Sequence, residues 1–214
     1  MNLAKYIDHT ILKAVATKQD VTKLCAEAAQ YGFASVCVNP FWVSLCADLL
    51  KGSGVKVCTV IGFPLGANAS KVKAFEAELA IKEGADEVDM VINIGALKSG
   101  MLDVVKEDIA AVREASKGKT LKVIIETSYL TEEEKKTVCK ICAECGVDFV
   151  KTSTGFSDAG AKAEDVKLMA EASGLAVVKL KNVGKGFCLC FALKMIEAGA
   201  SRLGTSAGVK IVAD

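Results

Sequence analysis

The sequence predicts an α/β fold in which eight parallel strands alternate with helices and close into a (β/α)8 barrel, the TIM-barrel fold. Two observations favour this fold. The strand segments are nearly continuous apolar runs, which is typical of parallel strands covered on both faces. Amphipathic helical segments separate these runs, and no linker or low-complexity segment interrupts the 214 residues. We therefore expect residues 1–214 to form one domain with short loops.

The elements follow one another in a regular order. Strands are predicted at Tyr6–Leu12, Phe33–Val38, Val55–Phe63, Glu87–Asn93, Leu121–Thr127, the apolar run ending at Lys151, Leu175–Lys181 and Arg202–Thr205. Helices are predicted at Gln19–Tyr31, Phe41–Leu50, Ser70–Glu83, Leu102–Ala115, Thr131–Gly146, Ala163–Ala172 and a segment ending near Ala198. Thr131 and Glu134 have the spacing of a capping box, and Gly32 is a favoured helix terminator.

An open doubly wound sheet is the alternative arrangement. No GxGxxG sequence follows the first strand, and Gly184-Lys185-Gly186 lacks the spacing and the Ser or Thr of a phosphate-binding P-loop. The count of eight strand segments therefore favours the closed barrel.

The charge balance limits the classes of partner. Lys plus Arg number 27 against 26 Asp plus Glu, a net charge of +1, so no overall basic field attracts nucleic acid or an anionic membrane. No apolar run approaches the roughly 20 residues that span a bilayer, and the amino terminus lacks a secretory hydrophobic region. We expect a cytosolic protein.

Cysteine and histidine usage argues against a metal centre. The sequence has nine cysteines, an odd number, and no secretory signal. We therefore expect buried thiols and no disulfide framework. Cys139, Cys142 and Cys145 form CxxCxxC, but they lie in a predicted helix with no fourth ligand nearby. His9 is the one histidine of the sequence, which disfavours a histidine metal site or a Ser-His-Asp triad.

Polar residues at the carboxyl ends of barrel strands converge on one pocket and are the functional candidates. Lys151 follows Phe149 and Val150 without an adjacent carboxylate, so burial is expected to lower its pKa toward that of a nucleophile. Asp89 lies between apolar residues and needs a buried cationic partner. The candidates are Asp8, Thr10, Cys37, Asn39, Asp89, Asn93, Glu126, Thr127, Lys151, Thr154, Lys179 or Lys181, and Gly204 to Gly208.

Two lysines and an aspartate in one pocket supply an amine that attacks a carbonyl, a cation that lowers the pKa of that amine, and a carboxylate that moves protons. This combination indicates Schiff-base chemistry. A buried ion-pair network that serves only the fold is the alternative, and the pattern of residues does not separate the two. The GTSAG segment, Gly204 to Gly208, offers backbone N–H groups and hydroxyls to a phosphate.

Long motifs make the sequence resemble a known family. They are YIDHTILK, FASVCVNP, VCTVIGFPLGA, GADEVDMVINIGALKSG, VIIETS, DFVKTSTGF, ALKMIEAGA and LGTSAGV, and they cover the chain nearly end to end. In order and content they resemble the deoxyribose-phosphate aldolase family. The resemblance implies a (β/α)8 barrel and a class I aldolase that needs no metal or other cofactor. The implied reaction is reversible cleavage of 2-deoxy-D-ribose 5-phosphate to acetaldehyde and D-glyceraldehyde 3-phosphate, with a dimer or a monomer as the assembly.

The resemblance also assigns residues. Lys151 matches the Schiff-base lysine and Asp89 the proton-relay carboxylate, while Cys37 matches a pocket cysteine that aldehydes modify in some members. The segments that match the family's substrate and phosphate pocket include Thr154, Gly155, Gly204, Thr205 and Ser206, and barrel position adds Asp8 and Thr10 as substrate-binding candidates.

Residues 177–191 depart from the family pattern VKASGGIR. They read VVKLKNVGKGFCLCF, so the second catalytic lysine falls at Lys181, or at Lys179 when one deletion is allowed. Depth at the carboxyl end of the strand favours Lys181. Of the two glycines in the family pattern, one is retained, as Gly184. Lys185 is the nearest cation that could replace the arginine of that pattern. A compensated frame error or local divergence explains the segment, and a catalytically impaired barrel that binds sugar phosphates is the alternative function.

Overall fold

A computed structural model describes residues 2–157, 160–180 and 189–213, with the backbone alone for Lys179 and Leu180. Within these ranges the strands form a closed, parallel barrel in sequence order. The strands are β1 (Ile7–Ile11), β2 (Ser35–Val38), β3 (Lys56–Ile61), β4 (Glu87–Val91), β5 (Thr120–Ile124), β6 (Phe149–Lys151), β7 (Ala176–Leu180) and β8 (Ala200–Thr205). The predicted (β/α)8 barrel is confirmed.

The helices surround the barrel. They are α1 (Lys18–Tyr31), α2 (Val43–Leu49), α3 (Ser70–Lys82), α4 (Ile94–Lys98), α5 (Leu102–Ala115), α6 (Glu132–Glu144), α7 (Ala163–Ser173), α8 (Leu189–Glu197) and α9 (Gly208–Ala213). Short 3₁₀ turns lie at Leu3–Tyr6, Pro40–Trp42 and Thr127–Tyr129. Helices α4 and α9 were not predicted from the sequence. Among the described residues, none of the helices has the length and apolar character that crossing a membrane requires.

Helix starts follow the predicted local chemistry. The Thr131 side chain accepts from the Glu134 backbone N–H, and the Glu134 carboxylate accepts from the Thr131 backbone N–H, which confirms the capping box. The same reciprocal pair, Thr17 and Asp20, opens α1. Gly32 ends α1 in the left-handed conformation at φ +63°, as predicted for a glycine terminator.

Strand alternation separates an apolar shell from a polar lumen. Val36 and Val38 of β2 belong to the main core between barrel and helices, while Cys37 between them belongs to a small separate cluster with Leu12, Cys58 and Val60. Because successive side chains point to opposite faces, the lumen receives the alternate set of residues, and that set carries most of the buried charge.

A buried ion pair fixes the carboxyl end of β4 from outside. The Lys73 ammonium of α3 donates to Asp108 of α5 at 2.5 Å and to the Val91 carbonyl at 2.9 Å. Both side chains are fully enclosed. Gly62 follows β3 with φ +62°, and a Cβ there would lie 2.9 Å from the Lys73 side chain, so no larger residue fits. This packing holds the strand end two residues beyond Asp89.

Candidate active site

Asp89 lies between two lysines in the lumen. Asp89 is on β4, Lys122 on β5 and Lys151 on β6, so three consecutive strands contribute one side chain each. The Lys151 ammonium contacts Asp89 Oδ2, and the Lys122 ammonium lies 2.8 Å from Asp89 Oδ1. All three side chains are buried. The predicted convergence of Lys151 with Asp89 is therefore present in the structure.

The pKa of Lys151 differs from the sequence expectation. Burial alone lowers this pKa, but the Asp89 carboxylate outweighs burial, so the net pKa is raised. The predicted lowering is wrong for the protein without substrate. Burial likewise raises the pKa of Asp89, but the charges of Lys122 and Lys151 outweigh it and hold the pKa well below its usual range. The resting site is thus an ammonium beside a carboxylate, and the nucleophilic amine forms only after a proton leaves.

Lys122 is the lysine that the sequence analysis missed. Its ammonium bridges two carboxylates of β4, with Glu87 Oε2 at 2.6 Å and Asp89 Oδ1 at 2.8 Å. Burial lowers the pKa of Lys122, and Asp89 together with Glu87 raises it well above the ordinary value. Lys122 therefore supplies the permanent positive charge in the described part of the site. Lys122 is a single charged residue between the apolar residues Leu121 and Val123. The same pattern, a charged residue inside an apolar strand, singled out Asp89.

Asp8 belongs to a second ion-pair layer nearer the amino ends of the strands. Its Oδ1 accepts from the Ser35 hydroxyl at 2.7 Å and from Arg202 Nε at 2.8 Å. Arg202 also reaches Glu87 Oε2 at 3.0 Å, and Glu87 joins this layer to Lys122. The Thr10 hydroxyl donates to the Asp8 carbonyl at 2.8 Å. The roles of Asp8 and Thr10 in substrate binding stay predictions.

Cys37 lies inside the barrel beside Cys58. Their Cα atoms are paired across β2 and β3. The Cys58 thiol donates to Asp89 Oδ1 at 3.1 Å and accepts from Lys122 at 3.2 Å, so it is a direct neighbour of the charged cluster. Burial raises the pKa of the Cys58 thiol, with Cys37 adding to the rise. Cys58 was also missed, because a cysteine within an apolar strand looks like an ordinary core residue.

Glu126 organises the loop that follows Lys151. It is buried with a left-handed backbone, φ +52°, the one positive φ among non-glycine residues in the described ranges. Its Oε2 accepts from the Thr154 backbone N–H at 2.9 Å and from the Thr154 hydroxyl, and its Oε1 accepts from Ser157 at 3.0 Å. Gly155 adopts φ +88° in this loop. Thr154 therefore shapes the loop through Glu126, and direct contact of Thr154 or Gly155 with substrate stays a prediction.

Replacing Glu126 by glutamine tests this role of the carboxylate. We expect a loss of about 1 to 3 kcal/mol in the free energy of unfolding, since an amide cannot accept at both positions and hydrogen bonds to a charged group are the stronger ones. Urea denaturation followed by circular dichroism measures the change. The exposed Glu132→Gln variant is the matched control, and an equal loss in both variants would contradict the proposed role.

The carboxyl end of β8 forms the predicted GTSAG loop. The Thr205 hydroxyl accepts from the Ala207 backbone N–H at 3.0 Å, and Gly204 pairs with Asp8 across the closing strands. Ser206 lines a cavity of about 310 Å³ between β1 and α1, together with His9 and Thr10. A Cβ on Gly208 would lie 2.9 to 3.1 Å from three packed side chains, so only glycine lets α9 begin here.

Two predicted residues, Lys181 and Gly184, lie outside the described residues, as does the side chain of Lys179. The backbone of Lys179 lies in β7 beside Leu203 of β8. The choice between Lys179 and Lys181 as the second catalytic lysine therefore stays a prediction. In the described part of the chain, Asp89 lies among the two amines of Lys122 and Lys151 and the two thiols of Cys37 and Cys58, an arrangement that suits proton transfer and covalent attack on a carbonyl.

Comparison with known proteins identifies the family. The model of DeoC/LacD family aldolases matches residues 2–212. This chain belongs to the DeoC/LacD aldolase family. A deoxyribose-phosphate aldolase of Clostridium tetani is 61% identical over 213 residues, which cover 99% of this chain and 98% of that protein. The matched region includes β4 and β6, the strands that carry Asp89 and Lys151.

Solved structures named as deoxyribose-phosphate aldolases share the fold. A crystal structure from Coccidioides immitis superposes with a TM-score of 0.96 at 43% identity, covering 99% of this chain and 85% of that one. The deoxyribose phosphate aldolase from Aeropyrum pernix, described as tetrameric, has a TM-score of 0.88 at 33% identity, covering 99% of this chain and 89% of that one. The similarity extends over the full barrel, including β4 to β6.

Proposed function

We propose that this family member is a deoxyribose-phosphate aldolase, a lyase that cleaves 2-deoxy-D-ribose 5-phosphate to acetaldehyde and D-glyceraldehyde 3-phosphate in deoxyribonucleoside catabolism. The observation that carries the proposal is the contact of the buried Lys151 ammonium with Asp89. The Clostridium tetani relative is named a deoxyribose-phosphate aldolase, which supports the assignment of this substrate. Residues 1–214 act as one barrel domain in this proposal.

The proposed reaction begins with proton removal from Lys151. Asp89 takes or relays this proton, and the free amine attacks C1 of the open-chain sugar and loses water to form an imine. The positive imine draws electrons as the C2–C3 bond breaks and Asp89 accepts the C3 hydroxyl proton, which releases D-glyceraldehyde 3-phosphate and leaves an enamine on Lys151. Reprotonation at C2 and hydrolysis then release acetaldehyde and the lysine. Asp89 lies beside Lys151 and suits the proton transfers, while Lys122 keeps Asp89 ionised between them.

The phosphate end of the substrate has its own proposed contacts. Gly204 and Thr205 end β8 and Ser206 follows it, and late loops of such barrels bind phosphate through backbone N–H groups. Lys181, or Lys179 in its place, serves as the second catalytic lysine, and Gly184 contributes to phosphate binding. These assignments rest on the sequence motifs.

Borohydride trapping tests the proposed reaction. Incubation with acetaldehyde and borohydride is expected to add mass to the peptide that contains Lys151, and dihydroxyacetone is expected to add far less. Turnover of deoxyribose 5-phosphate is measured in parallel for the wild type, Lys179→Ala and Lys181→Ala. Ligand-dependent stabilisation without turnover would instead indicate a barrel that only binds sugar phosphates, since binding alone stabilises the native state.

We further propose a cytosolic homodimer that binds a small phosphosugar and no nucleic acid or membrane. Seven of the eight cysteines in the described ranges are free thiols, Cys190 being the exception, and this majority supports a reducing compartment. Val72, Phe75 and Leu79 form an exposed apolar stripe on α3, which supports self-association. Light scattering after size-exclusion chromatography distinguishes a dimer from a monomer and from the tetramer described for the Aeropyrum pernix protein.

A further inference from the structure

Cys37 and Cys58 form a pair of thiols inside the barrel. They are register partners on the adjacent parallel strands β2 and β3, so both side chains leave the sheet on the same face. Both residues are buried, with exposed fractions of 1% and 0%. Their sulfur atoms and a carboxylate oxygen of Asp89 all lie within 4.8 Å of one another. The lumen therefore holds three metal-ligating atoms around one point.

The spacing of these atoms suits a tetrahedral metal ion. Zinc binds thiolate at about 2.3 Å and carboxylate oxygen at about 2.0 to 2.2 Å, which separates neighbouring ligand atoms by roughly 3.5 to 3.8 Å. The observed distance between Cys58 Sγ and Asp89 Oδ1 is 3.1 Å. This distance needs to open by only a few tenths of an ångström for coordination, and the two distances from Cys37 Sγ lie within 4.8 Å. Three protein ligands leave a fourth position for water or another small ligand.

The nearby lysines do not prevent binding of a divalent cation. Coordination by two cysteines releases two thiol protons, so the two charges of the metal replace two charges that leave. Lys122 gives up Asp89 Oδ1 in this exchange but keeps Glu87 Oε2 at 2.6 Å. Lys151 contacts the other oxygen of Asp89, Oδ2. The net charge of the lumen is therefore unchanged, and both ammonium groups remain paired.

We propose that Cys37, Cys58 and Asp89 form a binding site for a thiophilic divalent cation, Zn²⁺ or Cd²⁺, and that its occupation inhibits the enzyme. Two sulfur ligands select such ions over Mg²⁺ and Ca²⁺, which prefer oxygen. Inhibition follows because a carboxylate that ligates a dication no longer accepts the proton of Lys151. The inhibitory effect rests on the proposed aldolase function, whereas the binding does not.

Cadmium titration of the reduced protein tests the site directly. We expect a thiolate-to-cadmium charge-transfer absorption in the ultraviolet that saturates at one equivalent for this site. Cys37→Ser and Cys58→Ser are each expected to weaken cadmium binding by on the order of 100-fold. Loss of a group that only hydrogen-bonds to a metal ligand already lowers metal affinity by about 10- to 100-fold. Cys139→Ser on α6 is the matched control, because it removes a buried thiol remote from the lumen and leaves the absorption intact.

The outcomes separate binding from inhibition. Unchanged cadmium affinity in Cys58→Ser, with circular dichroism showing a folded barrel, would overturn the site. Loss of the absorption in Cys25→Ser or Cys46→Ser would place the metal between α1 and α2 and would also overturn it. Full turnover of the cadmium-loaded wild type would overturn the inhibitory role alone. A metal-free protein without turnover that still binds cadmium through Cys58 would contradict the proposed function and support the site.

Discussion

Replacing Lys151 by methionine is expected to abolish turnover of deoxyribose 5-phosphate, with a loss on the order of 10⁴-fold or more, as for other covalent nucleophiles. Methionine has a similar length and no amine, so no imine forms. The borohydride-dependent mass gain from acetaldehyde should disappear with it. Initial-rate measurements and peptide mass spectrometry report the two losses separately.

The Lys151→Met substitution leaves the charge cluster partly intact. Asp89 retains the Lys122 ammonium at 2.8 Å, so no buried carboxylate becomes unpaired. We therefore expect the variant to fold. Lys167→Met on the exposed face of α7 is the matched control and should keep full activity. Trapping of acetaldehyde at another lysine of Lys151→Met, with turnover retained, would disprove the assignment.

Asp89→Asn is expected to separate imine formation from turnover. Removal of the carboxylate leaves burial and the Lys122 charge, both of which lower the pKa of Lys151. A larger fraction of the amine is then neutral near pH 7, so trapping with acetaldehyde continues. Turnover should nevertheless fall by about 10²- to 10⁴-fold, the usual contribution of a positioned proton-transfer group.

The pH dependence of acetaldehyde trapping shows in which direction Asp89 shifts the pKa of Lys151. In the wild type the pKa of Lys151 is raised, so the neutral amine, and with it the trapping rate, should increase as pH rises into the alkaline range. In Asp89→Asn the increase should begin at lower pH. Trapping rates between neutral and alkaline pH measure the shift, and the exposed Asp103→Asn variant controls for a change of charge. An identical profile in Asp89→Asn and wild type would contradict the coupling of the two groups.

The spacing of apolar residues along the sequence predicts the fold, because each strand is an apolar run and the helix that follows it carries one apolar face. The shortest elements escape this approach. Ile94–Lys98 has five residues and Gly208–Ala213 has six, too few in each case to show a helical period, and Gly208 also ends the GTSAG segment that was predicted as a loop. Their helices form because neighbouring strands and helices hold the chain there.

The site is predicted in position but not in charge state. Asp89 in the middle of β4 and Lys151 at the end of β6 both point into the barrel, so the fold alone brings them together. In the sequence Lys151 has no neighbouring carboxylate, since Asp89 is 62 residues away along the chain. Contact across the lumen reverses the predicted pKa direction. Lys122 and Cys58 escape prediction because their function depends on neighbours contributed by other strands.

The ion pairs of Arg202 form only after the last strand of the barrel has been synthesised. Arg202 joins Asp8 of the first strand to Glu87 of the fourth from a position on the last. During synthesis, Asp89, Lys122 and Lys151 all leave the ribosome before Arg202 does. Asp8 and Glu87 therefore lack their guanidinium partner until the chain is almost finished. A circular permutant that begins with β8 would supply the guanidinium first and offers a way to time the assembly of the lumen.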